Sequence, residues 1–212
     1  MLLENLSSAD LLKLAKKPIA VDGVVIGLPF TNATQAQQAA KLMAQRANYS
    51  GMIIAVHDRD ALGFNAIINL IFKATRSPYF AYVAQDAFAG RDWLKLAVDA
   101  MGEDKGLLGF NDGKWGGALA GFGLARRSWA EKNYAKDFFC PEYTRHFADA
   151  ELTLLAMQAG VYVYEPNSVL VELDWNKDQS AVEIADRQVF AKRKATGFNG
   201  RVTAPHLLNH IS

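Results

Sequence analysis

The feature that most constrains this chain is a repeated pairing: a short run of apolar residues with both faces hydrophobic, a stop at a turn residue, then a segment with helical spacing. Val21 to Leu28 is a β-branched run closed by Pro29. Because neither of its faces is polar, it reads as a strand covered on both sides, as in a parallel sheet. Thr34 caps a helix through Asn48 whose glutamines face water while Ala36, Ala39, Ala40, Leu42 and Met43 form the apolar stripe. The alternation continues with Met52 to His57 as strand, Phe64 to Ala74 as helix, Tyr79 to Val83 as strand, Asp92 to Met101 as helix and Gly106 to Phe110 as strand. Strands separated by helices of this length imply right-handed crossovers and a mostly parallel central sheet flanked by helices, an α/β fold.

Outside that stretch the rhythm differs. Ser7 or Ser8 caps a short helix, Ala9 to Lys17, which Pro18 ends. Beyond Phe110, Trp115 to Gly123 is rich in glycine and Ala118 to Ala125 reads as a strand. Asp149 to Ala159 reads as a helix, Val161 to Tyr164 and Val169 to Glu172 as strands, and Val182 to Lys194 as a closing helix. No repeat or linker divides the 212 residues, so one domain is expected over 1–212.

Charge and cysteine content narrow the function classes. The formal net charge is +1, so no global field draws the protein to nucleic acid or an anionic membrane. A single cysteine, Cys140, excludes an intrachain disulfide and a cysteine-based metal cluster. Met1 to Lys17 carries Glu4 and Asp10 and does not resemble a secretion signal. The apolar run Ala66 to Phe72 is broken by Asn69 and ends at Lys73, well below the roughly 20 residues of a membrane span. A cytoplasmic protein is expected.

In open α/β sheets, ligands bind beyond the carboxyl ends of the strands. The segments there are Pro29 to Asn32, His57 to Asp60, Gln85 to Ala87 and Asn111 to Gly113, and the last three each contain aspartate. Aspartate also favours turns for local reasons, so position alone leaves both readings open. The phosphate loop GxxxxGK[ST], the dinucleotide fingerprint and the GxSxG nucleophile elbow are all absent from the sequence.

Three stretches carry a resemblance. They are Gly63-Phe64-Asn65-Ala66-Ile67-Ile68-Asn69, then Ser77-Pro78 through Ala84-Gln85-Asp86, then Gly90-Arg91-Asp92-Trp93-Leu94. Their order resembles the GT-A fold glycosyltransferases, especially family-2-like small bacterial and phage-type members. Phe147-Ala148-Asp149-Ala150-Glu151-Leu152 with Gly160 is similar to the acidic segment that opens that family's acceptor-side helix. The tail from Asp174-Trp175 to Gly197-Phe198 is similar to the ends of its small members, and together these cover about residues 21–198.

The resemblance implies transfer of a sugar from a nucleotide-diphosphate donor, UDP-linked in the first instance, to an acceptor hydroxyl. It implies a divalent cation, Mn²⁺ or Mg²⁺, on the departing diphosphate. Asp86 matches the metal-binding acid of the DxD motif, but Ala84 and Gln85 stand where further acids are usual; either Asp174 or Glu172 substitutes as an oxygen ligand, or the donor's own phosphates hold most of the ion. His206 and His210 lie too near the terminus to assign. Asp149 matches the catalytic base with Glu151 beside it; a helix cap is the alternative for Asp149, and acceptor or donor positioning the role in a retaining enzyme. Pro29, Thr31 and Asp58 match the nucleotide contacts, and Asn69 the helix asparagine facing the diphosphate-sugar, with a backbone-satisfied buried amide as its alternative. Trp115, Gly116 and Gly117 resemble the acceptor-side loop. The resemblance leaves the acceptor as a glycan, a small molecule or, as for some phage-type members, a modified DNA base; the five Lys or Arg that follow Asp186 without an acid up to Arg201 would touch its phosphates, with a solvated helix face as their alternative. A binding module that has lost catalysis is the rival of the same fold. A nucleotidyltransferase would need a glycine-rich first loop that Leu28-Pro29-Phe30-Thr31 does not provide.

Overall fold

The computed structural model describes residues 1–173 and 184–211. In chain order the elements that position the site are β1 (Leu2–Ser7), α1 (Ser8–Leu14), β2 (Ile19–Ala20), β3 (Val24–Phe30), α2 (Ala33–Arg46), β4 (Gly51–His57), α3 (Phe64–Ala74), β5 (Thr75–Arg76), β6 (Tyr79–Tyr82), β7 (Ala87–Ala89), α4 (Trp93–Met101), β8 (Leu107–Asn111), β9 (Gly123–Arg126), α5 (Arg127–Ala130), α6 (Ala148–Gln158), β10 (Tyr162–Glu172) and α7 (Ile184–Ala195). The main sheet has the order β1-β4-β3-β6-β9-β8-β10-β7. Neighbours are parallel from β1 to β6 and between β8 and β10, while β9 is antiparallel to both β6 and β8 and β7 is antiparallel to β10.

The two-faced apolar runs have the expected cause. Val25 of β3 packs into one core with α3 and α6, while Val24, Ile26 and Leu28 pack into a second core with α2 and α4. The first core is aromatic, with Phe138 touching Phe72, Phe80, Tyr82 and Phe139 at centroid distances of 4.8–5.4 Å. Each such buried ring contributes about 1.5–3 kcal/mol. α3 lies against β3 closely enough that a Cβ at Gly27 would stand 2.8 Å from Ile68 Cδ1, so a side chain there would have to displace the tips of the α3 isoleucines.

Several boundaries depart from the sequence reading for local reasons. β3 starts at Val24 because Gly23 has φ 93 and breaks the run, leaving Ile19–Ala20 to pair separately with β5. Asn32, not Thr34, caps α2, its Oδ1 accepting from the Gln35 amide at 3.1 Å. The expected strand Ala118 to Ala125 is reduced to Gly123–Arg126. Residues before it form a turn, Ala118 N donating to Trp115 O at 2.9 Å and Ala120 N to Thr153 Oγ1 at 3.1 Å. The strands expected at 161–164 and 169–172 are one strand, β10, with a register shift between Glu165 and Val169. β1, an exposed edge strand, and the three-residue β7 have no counterpart in the sequence reading.

Candidate active site

The loops at the carboxyl ends of β3, β4, β6 and β8 converge on one edge of the sheet. Pro29 is buried and paired with Val56, while Thr31 beyond it is exposed. The Thr31 and Asn32 amides both donate to Gln85 Oε1, at 2.9 and 2.8 Å. Gln85, which replaces an acid of the DxD pattern, thus braces the first loop against the end of β6. Asp58 follows directly on β4, and its two carboxylate oxygens accept from Leu62 N at 2.8 Å and Gly63 N at 3.0 Å, closing the loop that leads into α3. The half-buried His57 stacks on Phe30 with ring centroids 5.1 Å apart.

Asp86 is 6% exposed, and its carbonyl accepts from Leu173 N at 3.2 Å. One residue earlier, Glu172 N donates to Asp112 O at 3.3 Å. The end of β10 therefore ties together the loops after β6 and β8 and draws Asp86 and Asp112 to the same edge. Asp112 is 3% exposed, and its Oδ1 accepts from Lys114 N and Trp115 N, both at 2.9 Å, which shapes the start of the acceptor-side loop. Sequence position puts Asp112 beyond a strand end without assigning it a role; Asp112-Gly113 after an apolar run is the turn signal that marks it.

Asp149 sits in the first turn of α6, which starts after Phe147 in the left-handed region (φ 66). Phe147 is the capping residue, so Asp149 is not the cap of a helix that begins at Ala150. Its Oδ1 accepts from Ala150 N at 2.9 Å, and its carbonyl accepts from Thr153 Oγ1 at 2.7 Å. Thr153 Oγ1 in turn accepts from Ala120, so the Asp149 turn and the acceptor-side loop are hydrogen-bonded to each other through one hydroxyl. Loss of water raises the half-buried Asp149 carboxyl to about 6; the charge of Asp112 pushes the same way, against the Ala150 amide and His146. The Tyr82 hydroxyl, fully buried and donating to Ala120 O at 2.5 Å, is pushed up by burial and then by Asp149, Tyr162 and Asp112.

Two residues assigned to the site are engaged by the protein interior instead. Glu151 is 0% exposed and accepts from Tyr134 and Tyr143 hydroxyls at 2.8 Å and from the forked Arg193 guanidinium at 2.7 Å on each oxygen, leaving no oxygen turned to a substrate. Asn69 accepts from Phe138 N and Phe139 N at 2.9 and 2.8 Å and donates to Phe139 O at 3.1 Å, the backbone-satisfied amide of the alternative reading. Trp115 is 40% exposed with Lys114 Nζ 5.0 Å from its ring. Gly116 and Gly117 have φ of 55 and 87, and a Cβ on Gly117 would meet the Tyr164 ring at 2.6 Å. Asp174 lies outside the described residues. His210, left unassigned by sequence, reaches the acceptor-side loop with Nε2 2.9 Å from Ala118 O.

Of the basic run after Asp186, Arg193 is buried, Lys194 and Arg201 are half-buried, and Arg187 and Lys192 are exposed. Arg193 binds Glu151 and Glu142, Lys194 donates to Ile211 O, Arg201 donates to Asn133, and Arg187 lies 5.7 Å over the Phe147 ring. Among the described residues no group of three or more His, Cys, Asp or Glu side chains is arranged to hold a metal ion, and no helix is long and apolar enough to cross a membrane. Asp86 and Asp112 are the acids whose backbones the end of β10 holds, and carboxylate oxygen is the donor type that Mg²⁺ and Mn²⁺ take.

Neither a protein-family sequence profile nor a curated protein sequence matches the chain. Solved structures do. A mannosyltransferase from Pyrobaculum calidifontis in complex with GDP-Man and Mn²⁺ superposes with a TM-score of 0.64 at 14% identity, over 95% of this chain and 74% of that one. A Drosophila β-1,4-galactosyltransferase 7 mutant, complexed with manganese, UDP-Gal and xylobiose, gives 0.60 at 14% identity over 81% and 79%. Glucosyl-3-phosphoglycerate synthase from Mycobacterium tuberculosis with Mg²⁺ and UDP gives 0.58 at 12% identity over 93% and 84%. The chain therefore has the GT-A fold, as the sequence resemblance implied.

Proposed function

We propose that this protein is a glycosyltransferase moving a sugar from a nucleotide-diphosphate donor, UDP-linked, to an acceptor hydroxyl. The observation that carries the reading is the Asp149 carboxyl, half-buried and raised to about 6, on the side of the sheet edge that Asp112 shares with Asp86. A carboxylate of that affinity is ionised at neutral pH yet basic enough to accept a proton as the acceptor oxygen attacks. The acceptor oxygen bonds to the anomeric carbon, the bond to the diphosphate oxygen breaks, and Asp149 takes the hydroxyl proton. Asp86, with Asp112 beside it, would hold the divalent ion that neutralises charge on the leaving diphosphate. Thr31 and the backbone at Pro29 and Asp58 face the nucleotide, Asp58 acting through the loop it closes. Trp115 offers an apolar platform to the acceptor.

The structures with the same fold carry GDP-Man, UDP-Gal and UDP with Mn²⁺ or Mg²⁺, which supports a nucleotide-sugar and a cation here. A test is donor turnover, hydrolytic or by transfer, with and without Mn²⁺. Asp86→Asn is expected to lower metal-dependent turnover by at least about a hundredfold while the fold is kept; turnover equal to the parent's removes Asp86 from the reading.

A second reading, a nucleotide-sugar-binding module without catalysis, is favoured by Gln85 bracing Thr31 and Asn32 where an acid would otherwise stand. UDP binding with no turnover of any nucleotide-sugar would select it. Of the basic residues that suggested a modified DNA base as acceptor, Arg193 is buried against Glu151 and Glu142, whereas Arg187 and Lys192 are exposed.

A further inference from the structure

α7 turns one buried face toward α6 and its lead-in, and every residue of that face does something different there. Asp186, Phe190 and Arg193 are four and three residues apart, hence on one side of the helix. Arg193 grips Glu151 inside α6. Phe190 stacks on Phe147, the residue that caps α6, with centroids 4.9 Å apart and planes 25° from parallel. Asp186, 1% exposed, accepts three consecutive backbone amides: Thr144 N at 2.9 Å on Oδ1, and Arg145 N and His146 N at 2.8 Å on Oδ2.

Packing alone would be served by the ring and the guanidinium. A carboxylate holding three successive N–H groups does something packing does not: it fixes the orientation of three peptide planes in a turn with no regular structure of its own. That turn runs directly into Phe147 in its left-handed conformation, and Asp149 follows two residues later. On its other side the turn is backed by α3, since a Cβ on Gly63 would lie 2.9 Å from Thr144 O.

We propose that Asp186 is the positioning residue of the acceptor-side acid: its carboxylate, delivered by α7, sets the 144–146 turn so that Asp149 projects to the sheet edge beside Asp112. The proposal rests on the reading of Asp149 as base for its effect on turnover, but its geometric content stands apart from that reading. Charged and titratable groups acting on Asp149 are His146 from the turn, Asp112 from the loop after β8 and Tyr82 from β6.

The test compares Asp186→Asn with Thr75→Val. Thr75 is buried in β5, outside the main sheet, and its hydroxyl donates to Ile71 O and accepts from Arg127, so its loss lowers stability without touching the turn. Three readouts are taken on full-length protein: amide hydrogen exchange at 144–150, the titration of the Asp149 carboxyl by NMR, and kcat against donor KM. Asp186→Asn is expected to raise exchange at Thr144, Arg145 and His146 by about tenfold or more and to move the Asp149 titration. It is expected to lower kcat by about ten- to a hundredfold with donor KM nearly unchanged, and Thr75→Val to do none of these. Asp186→Asn matching Thr75→Val in all three overturns the proposal. Should Asp186→Asn fail to fold, Asp186→Glu, which keeps the acceptor charge one methylene out of place, takes its position in the same comparison. If the parent protein turns over no donor, the base reading of Asp149 falls, and the exchange and titration results alone decide the positioning.

Discussion

Asp149 carries opposite consequences for activity and for stability. Its carboxyl is raised to about 6 in the folded protein against an ordinary value of 3.8, because the native site removes water from the charge. Below pH 4 the group is protonated in both folded and unfolded chains and contributes no penalty. As pH rises through 6 the folded form takes on a poorly hydrated charge, and stability that was present in acid is lost. Asp149→Asn, which keeps an oxygen for the Ala150 amide, is expected to be more stable than the parent by ~1–3 kcal/mol at pH 7.5 and equal to it near pH 4. The same substitution is expected to lower turnover by about a hundredfold or more, and the parent's kcat/KM is expected to climb as pH rises through about 6. Denaturant titrations at the two pH values, beside a pH–rate profile, check both; equal destabilisation at the two values would return Asp149 to a structural role. Whether an acid is engaged or offered was the part sequence left undecided. Asp149 and Glu151 stand two residues apart in one motif, yet one reaches the edge of the sheet and the other closes a buried ion pair, because helical spacing turns them about 200° from each other. Asn69 shows the same limit: the motif placed it, but only its partners Phe138 and Phe139, far along the chain, decided what its amide does.

At the level of elements, what was legible is what local pattern controls. β3, β4 and β6 and the helices between them follow from two-faced apolar runs and 3.6-residue spacing, and the sheet edge where the acids gather follows from parallel pairing. What was not legible depends on partners distant in sequence. β1, with Leu2, Leu3 and Leu6 set among polar residues in no strict alternation, is exposed along most of its length and is a strand because β4 offers it an edge. β7 exists because the last residues of β10 pair with it antiparallel; Leu173 N meets Asp86 O just beyond that ladder, while Glu172 N meets Asp112 O on the β8 side. The junction of α6 and α7 is likewise a long-range construction. Glu151 and Arg193, 42 residues apart, are 0% and 8% exposed and share two hydrogen bonds of 2.7 Å. Removing one partner leaves the other charged and buried, so Glu151→Ala is expected to lower stability by about 3–5 kcal/mol. Pairing it with Arg193→Met, which removes the stranded cation, is expected to restore at least half of that loss. Urea denaturation of the single and double variants measures the coupling; additive losses would show that the pair does not act as a unit.

Across the whole molecule, the candidate site divides into a donor side, built from the loops after β3, β4 and β6, and an acceptor side, built from the loop after β8 and the start of α6. The two are joined by the end of β10, while the Thr153 hydroxyl ties the two parts of the acceptor side to each other. This division makes binding and chemistry separable. A ligand that binds only the folded state raises its stability by RT ln(1 + [L]/Kd), about 2.7 kcal/mol at a hundredfold excess over Kd. For a chain of 212 residues that is a rise in Tm of roughly 5–10 °C. UDP with Mn²⁺ is expected to produce such a rise in the parent protein and UDP alone a smaller one, because phosphate oxygens and Asp86 both need the cation between them. Asp86→Asn is expected to lose the difference that Mn²⁺ makes. Asp149→Asn, lying across the β10 junction, is expected to keep it in full despite its loss of turnover. If both variants lose the shift together, the acids form one undivided anion-repelling cluster and the donor and acceptor sides are not distinct. If neither does, the nucleotide binds without Asp86, and the cation belongs elsewhere on the sheet edge.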